Sequence, residues 1–123
     1  MKGDMHKIDA YEWGEVWADK RDPNAGGASH YYCVLLTEDG ADPAQFASVR
    51  FQQGPRNVAT SLVGALDDHI LAIVEDRLRG FQDGLFPCEA NSEALRHIDA
   101  ARVALRTRAE ERRARGVLGK NLP

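Results

Sequence analysis

The stretch that decides the fold is DDHILAIVEDRLRGFQ, residues 67–82. Its apolar residues recur at i, i+3 and i+4, which predicts an amphipathic helix whose cap is Asp67 or Asp68. Asp83-Gly84 directly after it is typical of a helix end. The pattern predicts one buried stripe on this helix, comprising Ile70, Ile73, Val74, Leu78 and Phe81.

A second helix is predicted after a short connection. Pro87 and Asn91-Ser92 mark its start, and it continues to about Ala114, with Gly116 as its terminator. At ~1.5 Å per residue this helix is roughly 35 Å long. The short connection favours an antiparallel helical hairpin over residues 64–120. Two helices cannot bury their apolar faces alone, so we expect cover from a sheet, a second copy, or both, and a homodimer or larger homo-oligomer.

The N-terminal half has strand patterns instead. HYYCVLLT (30–37) is rich in aromatic and β-branched residues, and FASVRFQQ (46–53) alternates apolar and polar positions. These two strands are predicted to form a hairpin joined by the turn-rich EDGADPAQ (38–45). The segment KIDAYEWGEVWADKRD (7–22) fits a strand slightly better than a helix.

These patterns predict an α+β fold. A small N-terminal antiparallel sheet, within a β-rich part of residues 1–60, precedes the long antiparallel helical hairpin of residues 64–120. The 123 residues suit a single domain, and we expect one domain over residues 1–123.

Composition limits the function. The net charge of −3 argues against general attraction to long nucleic acid, yet residues 96–123 hold 8 Lys/Arg against 3 Asp/Glu. That local positive charge suits a small anionic ligand. No apolar run approaches a membrane span, and MKGDMHKID lacks the apolar core of a signal peptide, so neither is expected. Cys33 and Cys88 are expected to be reduced thiols.

Arginines are concentrated in RTRAEERRARGVLGK, residues 106–120. On a helical wheel centred on Ile98, Arg108, Arg112 and Arg115 lie at the edge of the apolar face. Their spacing offers forked donors to two phosphates. The alternative is that they pair with neighbouring glutamates and the helix dipole, and this alternative stays open.

Three motifs in the hairpin carry a resemblance to known proteins. They are LAIVEDRL-x-x-FQ, F-x-C-x-x-N and R-x-x-x-R-x-A-R-G-V-x-G, with weaker support from ASHYY and VRFQQGP. In this order they resemble the hairpin of two bacteriophage immune-evasion families, over roughly residues 64–120. One is the Thoeris anti-defence sponge family, which binds cyclic ADP-ribose isomers. The other is the anti-CBASS sponge family, which binds cyclic oligonucleotides.

The resemblance implies a ligand site. The aromatic side chain would stack on a purine, the asparagine amide would hydrogen-bond to adenine, and the arginines at the end of the hairpin would bind phosphates. An arginine in the preceding loop could line a second site for cyclic trinucleotides. The residues concerned are Phe81, Asn91, Arg108, Arg112, Arg115 and Arg56. Three alternatives without a ligand stay open: Phe81 as a core residue, Asn91 as a helix cap, and Arg56 as a solvated loop residue.

The resemblance also implies a function. The protein would act in the host cell cytoplasm as a sponge that binds a cyclic ADP-ribose isomer, such as glycocyclic ADP-ribose, or a cyclic oligonucleotide, without degrading it. Consistent with that, we find no catalytic motif and no histidine–cysteine metal spacing, so no enzyme activity, cofactor or metal is expected. Arg102, Ala109 and Leu118 depart from the family pattern and bear on ligand preference. The alternative function is a nucleic-acid-binding or regulatory module that uses the basic helix.

Overall fold

The computed structural model describes residues 5–36, 44–56, 58–118, 120, 122 and 123. They fall into two compact units, one reaching to Ala65 and including the last residues of the chain, the other spanning Leu66–Leu118. Four strands precede two helices, which confirms the α+β prediction. The elements are β1 His6–Tyr11, β2 Gly14–Ala18, β3 Tyr31–Leu36, β4 Ala44–Arg50, α1 Asp67–Gln82 and α2 Glu89–Ala114.

The four strands form one antiparallel sheet in the order β1-β2-β3-β4. Its core is small: among the described residues, the buried apolar side chains are Ala18, Cys33 and Leu35. Tyr32 adds an edge-to-face contact with Phe51, with 5.6 Å between the ring centroids. Of the two cysteines, Cys33 is buried and Cys88 is exposed, and no disulfide joins them.

The first two strands correct one prediction. Residues 7–22 were expected to hold a single strand, but a turn at Glu12 divides them into β1 and β2. Glu12 has a left-handed φ of 56°, which lets the chain reverse, and Gly14 begins the second strand. The predicted pairing of β3 with β4 is confirmed. Residues 38–43 of the predicted connection lie outside the described residues.

The chain doubles back after β4, so that Ala65 pairs with Phe51 and Leu62 pairs with Gln53. Gly64 lies at the tightest point of this return. A Cβ atom there would lie 2.4 Å from the carbonyl carbon of Phe51 and 2.5 Å from the carbonyl oxygen of Arg50. Only glycine fits this close approach of two backbones.

The ASH segment closes the loop between β2 and β3. Asp19 Oδ1 accepts the backbone N–H groups of His30 and Tyr31 at 3.0 and 3.3 Å. The Ser29 hydroxyl donates to the Asp19 carbonyl at 2.7 Å, and His30 Nε2 donates to the Ala25 carbonyl at 2.9 Å. Ser29 and His30 are buried, and the His30 carbonyl accepts the Phe51 N–H at 2.7 Å, so this segment also joins the loop to the chain just after β4.

The start of α1 differs slightly from the prediction. The N-cap residue is Leu66, so Asp67 is the first residue inside the helix and neither predicted aspartate is the cap. The Leu66 N–H donates to His69 Nδ1 at 3.0 Å, which satisfies one free donor of the helix end. The two aspartates still favour a helix start here, because negative charge in the first turn complements the helix dipole.

The predicted apolar stripe of α1 is only partly covered within one chain, because two of its five residues are half-buried and the other three are exposed. Ile73 is 64% exposed, Val74 42% and Phe81 48%, whereas Glu75 is only 7% exposed. The physical reason lies on α2, whose arginines bind the carboxylates of α1. The helix therefore turns its acidic side inward and leaves several apolar side chains outside.

Candidate functional site

An ionic seam joins the two helices of the hairpin. Arg102 Nε lies 2.9 Å from Asp68 Oδ1, and its Nη2 lies 3.2 Å from Asp68 Oδ2. The third nitrogen of the same guanidinium donates to Glu75. Arg106 also binds Asp68 Oδ2, at 2.9 Å. Because Asp68 and Glu75 are two helical turns apart, these contacts fix the register of α1 against α2.

The seam stays ionised at neutral pH. Hydrogen bonds from Arg102, and then from Arg106, hold the pKa of Asp68 well below its ordinary value. Hydrogen bonds from Arg102 and Arg79 lower the pKa of Glu75 in the same way. In return, Asp68 and Glu75 raise the pKa of Arg102. Each group favours the charged form of its partner.

The ion pairs separate the arginines near the end of α2 into two kinds. Arg113 binds Glu110, and Arg115 binds Glu111, one helical turn away in each case. Arg108 is exposed, and within the described part of the chain it forms no hydrogen bond or ion pair. Of the predicted phosphate-binding residues, Arg108 is therefore the one whose donors are available to a ligand.

Arg112 is buried, with 5% of its surface exposed. Its Nη2 donates to the Val117 carbonyl at 2.9 Å, and the Val117 N–H donates back to the Arg112 carbonyl at 2.9 Å. Gly116, with a φ of 76°, allows the chain to make this turn, as its predicted role as terminator requires. Arg112 thus holds the turn after α2, and its contact with a ligand stays a prediction.

Phe81 lies near the end of α1 with about half of its surface exposed. The guanidinium of Arg77, one turn earlier, stacks over the ring, with Cζ 4.8 Å from the ring centroid. Phe81 is therefore not a core residue of the single chain. One face of the ring is covered by Arg77.

Asn91 is the third residue of α2 and is half-buried. The N-cap of this helix is Cys88, so the interpretation of Asn91 as a cap is wrong.

Gln82 links the two helices at this end. Its amide nitrogen donates to the Cys88 carbonyl at 3.0 Å and to Ser92 Oγ at 2.8 Å. Its amide oxygen accepts the Cys88 N–H at 2.9 Å. These contacts place Phe81 and Asn91 at the same end of the hairpin.

The arginines of the predicted site lie at the other end. Arg108 follows Asn91 by 17 residues on one continuous helix, so the two are roughly 25 Å apart along the axis. A single hairpin therefore does not bring Phe81 and Asn91 together with Arg108. Arg56 belongs to the other unit and is exposed, two residues after Gly54.

The described residues offer neither a metal site nor a membrane-spanning helix. Among the residues that the structure describes, no three His, Cys, Asp or Glu side chains gather as metal ligands would. Neither helix in the described ranges is long and apolar enough to cross a membrane.

The sequence interpretation missed Arg77, Gln82 and the seam of Asp68, Glu75 and Arg102. Two of these had a local signal. Arg77 and Phe81 are at i and i+4, the spacing of neighbours on a helix surface. Asp68 and Glu75 form an acidic column on α1, which an antiparallel hairpin sets opposite basic residues of α2. Gln82 had no such signal, because its partners depend on the conformation of the connection.

Comparisons with known proteins place the hairpin in a known family. The family model described as the Acb2/Tad1 hairpin domain matches residues 45–110, more than half of the chain. A protein of Bacillus phage SBSphiJ7 named Thoeris anti-defense 1 is 35% identical over 75 residues. That match covers 61% of this chain and 52% of the phage protein, so the chain spans about half the length of this relative.

Proposed function

Because this chain belongs to the Acb2/Tad1 hairpin-domain family, we propose that it binds and sequesters a cyclic nucleotide immune signal without degrading it. The ligand is a cyclic ADP-ribose isomer such as glycocyclic ADP-ribose. The name of the relative from a Bacillus phage supports Thoeris anti-defence as the setting. The observation that carries the proposal is that this hairpin has an exposed aromatic ring near one end and, near the other, an exposed arginine that has no acidic partner among the described residues.

Each group has a definite chemical task. The open face of Phe81 stacks on adenine, a contact of about 1–3 kcal/mol per base. The Asn91 amide offers a donor and an acceptor to the edge of the same base. Arg108 binds phosphate oxygens through two parallel N–H groups. None of these groups attacks the ligand or transfers a proton, so the signal is held intact.

The distances support a homodimer as the binding form. Phe81 and Asn91 are roughly 25 Å from Arg108 within one hairpin, too far for one such ligand to contact both ends. Two hairpins packed antiparallel bring Phe81 of one protomer beside the partner's Arg108. The exposed side chains of Ile73 and Val74 supply apolar surface for this packing. Each pair of ends then makes one complete site.

Sequestration is stoichiometric, so it depends on affinity and slow release rather than on turnover. The ionic seam supports high affinity and slow release, because it fixes one helix against the other before the ligand binds. A site that is already ordered loses less conformational entropy on binding. The immune effector is left without its signal in the cell that the phage infects.

A capture-and-release experiment tests the function. The full chain is mixed with glycocyclic ADP-ribose, cyclic ADP-ribose and cyclic di- and trinucleotides, freed of unbound ligand, and heat-denatured. We expect intact glycocyclic ADP-ribose in the released fraction, identified by mass and retention time. A converted product would make the protein an enzyme. Capture of none of these compounds would refute the proposal, and salt-sensitive binding of long oligonucleotides would favour a nucleic-acid-binding module instead.

Arg108→Ala tests the site directly. Removing one partner of a close charged contact costs about 2–5 kcal/mol of binding free energy, measured by titration calorimetry. The matched control is Arg96→Ala, which removes another exposed arginine of α2 that binds Glu93. The control should keep its affinity. Full affinity in Arg108→Ala would remove this residue from the site.

A further inference from the structure

Arg77 is a hairpin arginine to which the proposed site gives no role. Its neighbours are held by carboxylates: Arg79 binds Glu75, and Arg102 binds Glu75 as well as Asp68. Arg77 is exposed, and across the described ranges no carboxylate pairs with it. Its guanidinium contacts the Phe81 ring, with Cζ 4.8 Å from the ring centroid.

We propose that Arg77 is a positioning residue, which acts on the ligand through Phe81. This inference rests on the function proposed above. An exposed phenylalanine on a helix surface can adopt more than one rotamer, and ordering a side chain on binding costs affinity. The planar guanidinium covers one face of the ring, limits its rotation and leaves the other face open. Phe81 is thereby prepared to accept one base.

Ligand binding and this contact should strengthen each other. A cation over an aromatic face is weakly bound while water surrounds it, and more strongly bound once the pair is desolvated. A base on the open face of Phe81 removes water from that ring. The Phe81 ring then lies between the Arg77 guanidinium on one face and the base on the other. In this arrangement the charge of Arg77 does not contact a phosphate.

A double-mutant cycle separates this role from direct phosphate binding. The full chain is titrated with glycocyclic ADP-ribose as wild type, Arg77→Met, Phe81→Leu and the double variant. Methionine keeps the length and helix propensity of the side chain but removes the guanidinium. We expect Arg77→Met to weaken binding about fivefold to thirtyfold when Phe81 is present. In the Phe81→Leu background the same change should have little further effect.

Arg96→Met is the matched control, because it removes one positive charge from an exposed arginine of the hairpin that lies outside the ionic seam. It should change affinity by less than about twofold, since the ligand-facing ring is untouched. Circular dichroism of each variant confirms that the hairpin is folded.

Two results would overturn the positioning role while leaving the function in place. One is unchanged affinity in Arg77→Met. The other is an equal loss with and without the Phe81 ring, which would make Arg77 a direct phosphate ligand. If the wild type does not bind glycocyclic ADP-ribose, or if Phe81→Leu and Arg108→Ala both bind it fully, the proposed function itself fails and this inference fails with it.

Discussion

Arg108 and Arg112 lie one helical turn apart on α2, yet their surroundings differ. Arg112 is buried and donates to the Val117 carbonyl, whereas Arg108 is exposed. We expect Arg112→Ala to lower the free energy of unfolding by about 1–3 kcal/mol, because it removes a buried side chain and the donor to the carbonyl of half-buried Val117. Arg108→Ala should change stability by less than about 0.5 kcal/mol. Urea denaturation followed by circular dichroism measures both.

Arg112→Met provides the control for this comparison. Methionine retains most of the packing of the arginine stem but none of its donors. A loss of stability in Arg112→Met close to that in Arg112→Ala would assign the effect to the hydrogen bond. Wild-type stability in both variants would contradict a structural role for Arg112.

Gly64 is the second residue whose surroundings allow a definite expectation. An added Cβ would meet backbone atoms of Arg50 and Phe51, which cannot move aside as a flexible side chain can. Gly64→Ala should therefore destabilise the protein by about 1–3 kcal/mol, or more if the strands cannot adjust.

Gly80 makes a matched control, because it is in the helix α1 and has no neighbour within 4 Å of an added Cβ. Gly80→Ala should stabilise the protein by about 0.5–1 kcal/mol through helix propensity. Thermal denaturation of the two variants should therefore show shifts of opposite sign. A neutral Gly64→Ala would mean that the return of the chain at residue 64 is looser than described.

The hairpin, as an element, depends on its ionic seam and so on pH. The carboxylates of Asp68 and Glu75 have folded-state pKa values below their ordinary 3.8 and 4.5. The unfolded chain therefore binds protons at a higher pH than the folded chain does. The stabilisation is fully present above about pH 5 and is lost as the pH falls toward the folded pKa values.

Asp68→Asn tests this origin of acid sensitivity. We expect the variant to be less stable than the wild type at pH 7 and to lose less stability between about pH 5 and 2. The control is Asp76→Asn, at an exposed position of the same helix. This variant should lose as much stability on acidification as the wild type does. Thermal melts monitored at 222 nm compare the three proteins, with helix signals dominated by α1 and α2. An equal loss of stability between about pH 5 and 2 in all three proteins would contradict the role of the seam.

The elements themselves were largely predictable, because helix ends and turns have local signals. Both helices begin and end within about two residues of the predicted bounds, where Asp83, Pro87 and Gly116 mark the chain. The rotation of α1 about its axis was not predictable from its own apolar spacing. That rotation is set by Arg102 and Arg106, which lie more than thirty residues away in sequence.

The candidate site was predictable in part for the same reason. The helical wheel placed Arg108 and Arg112 alike at the edge of the apolar face, and it did not distinguish the exposed Arg108 from the buried Arg112. A wheel gives angles around one helix but no distances between the ends of two helices. It could not reveal that Phe81 and Asn91 lie at one end of the hairpin and Arg108 at the other.

For the molecule as a whole, the main expectation concerns assembly. Ile73 and Val74 are adjacent on α1 and are 64% and 42% exposed, and contiguous exposed apolar surface is typical of an interaction site. We expect the wild type to be a homodimer and Ile73→Glu to be a folded monomer, as measured by light scattering after size-exclusion chromatography. A charge buried in the interface without a partner would be costly.

Ala100→Glu is the control, since residue 100 is exposed and lies opposite the apolar side of α2. It should remain dimeric. A wild type that is monomeric at tens of micromolar would contradict the composite site, because Phe81 and Arg108 of one chain cannot then meet on one ligand.

The difference between the two thiols makes this protein easy to label. Cys33 is fully enclosed in the sheet, whereas Cys88 is exposed at the start of α2, the end that carries Phe81 and Asn91. A maleimide dye should react with Cys88 much faster than with Cys33, since only an accessible thiolate is a nucleophile. The native chain thus provides a single attachment point for a fluorophore beside the proposed stacking residue, where its emission can follow ligand arrival and release in real time.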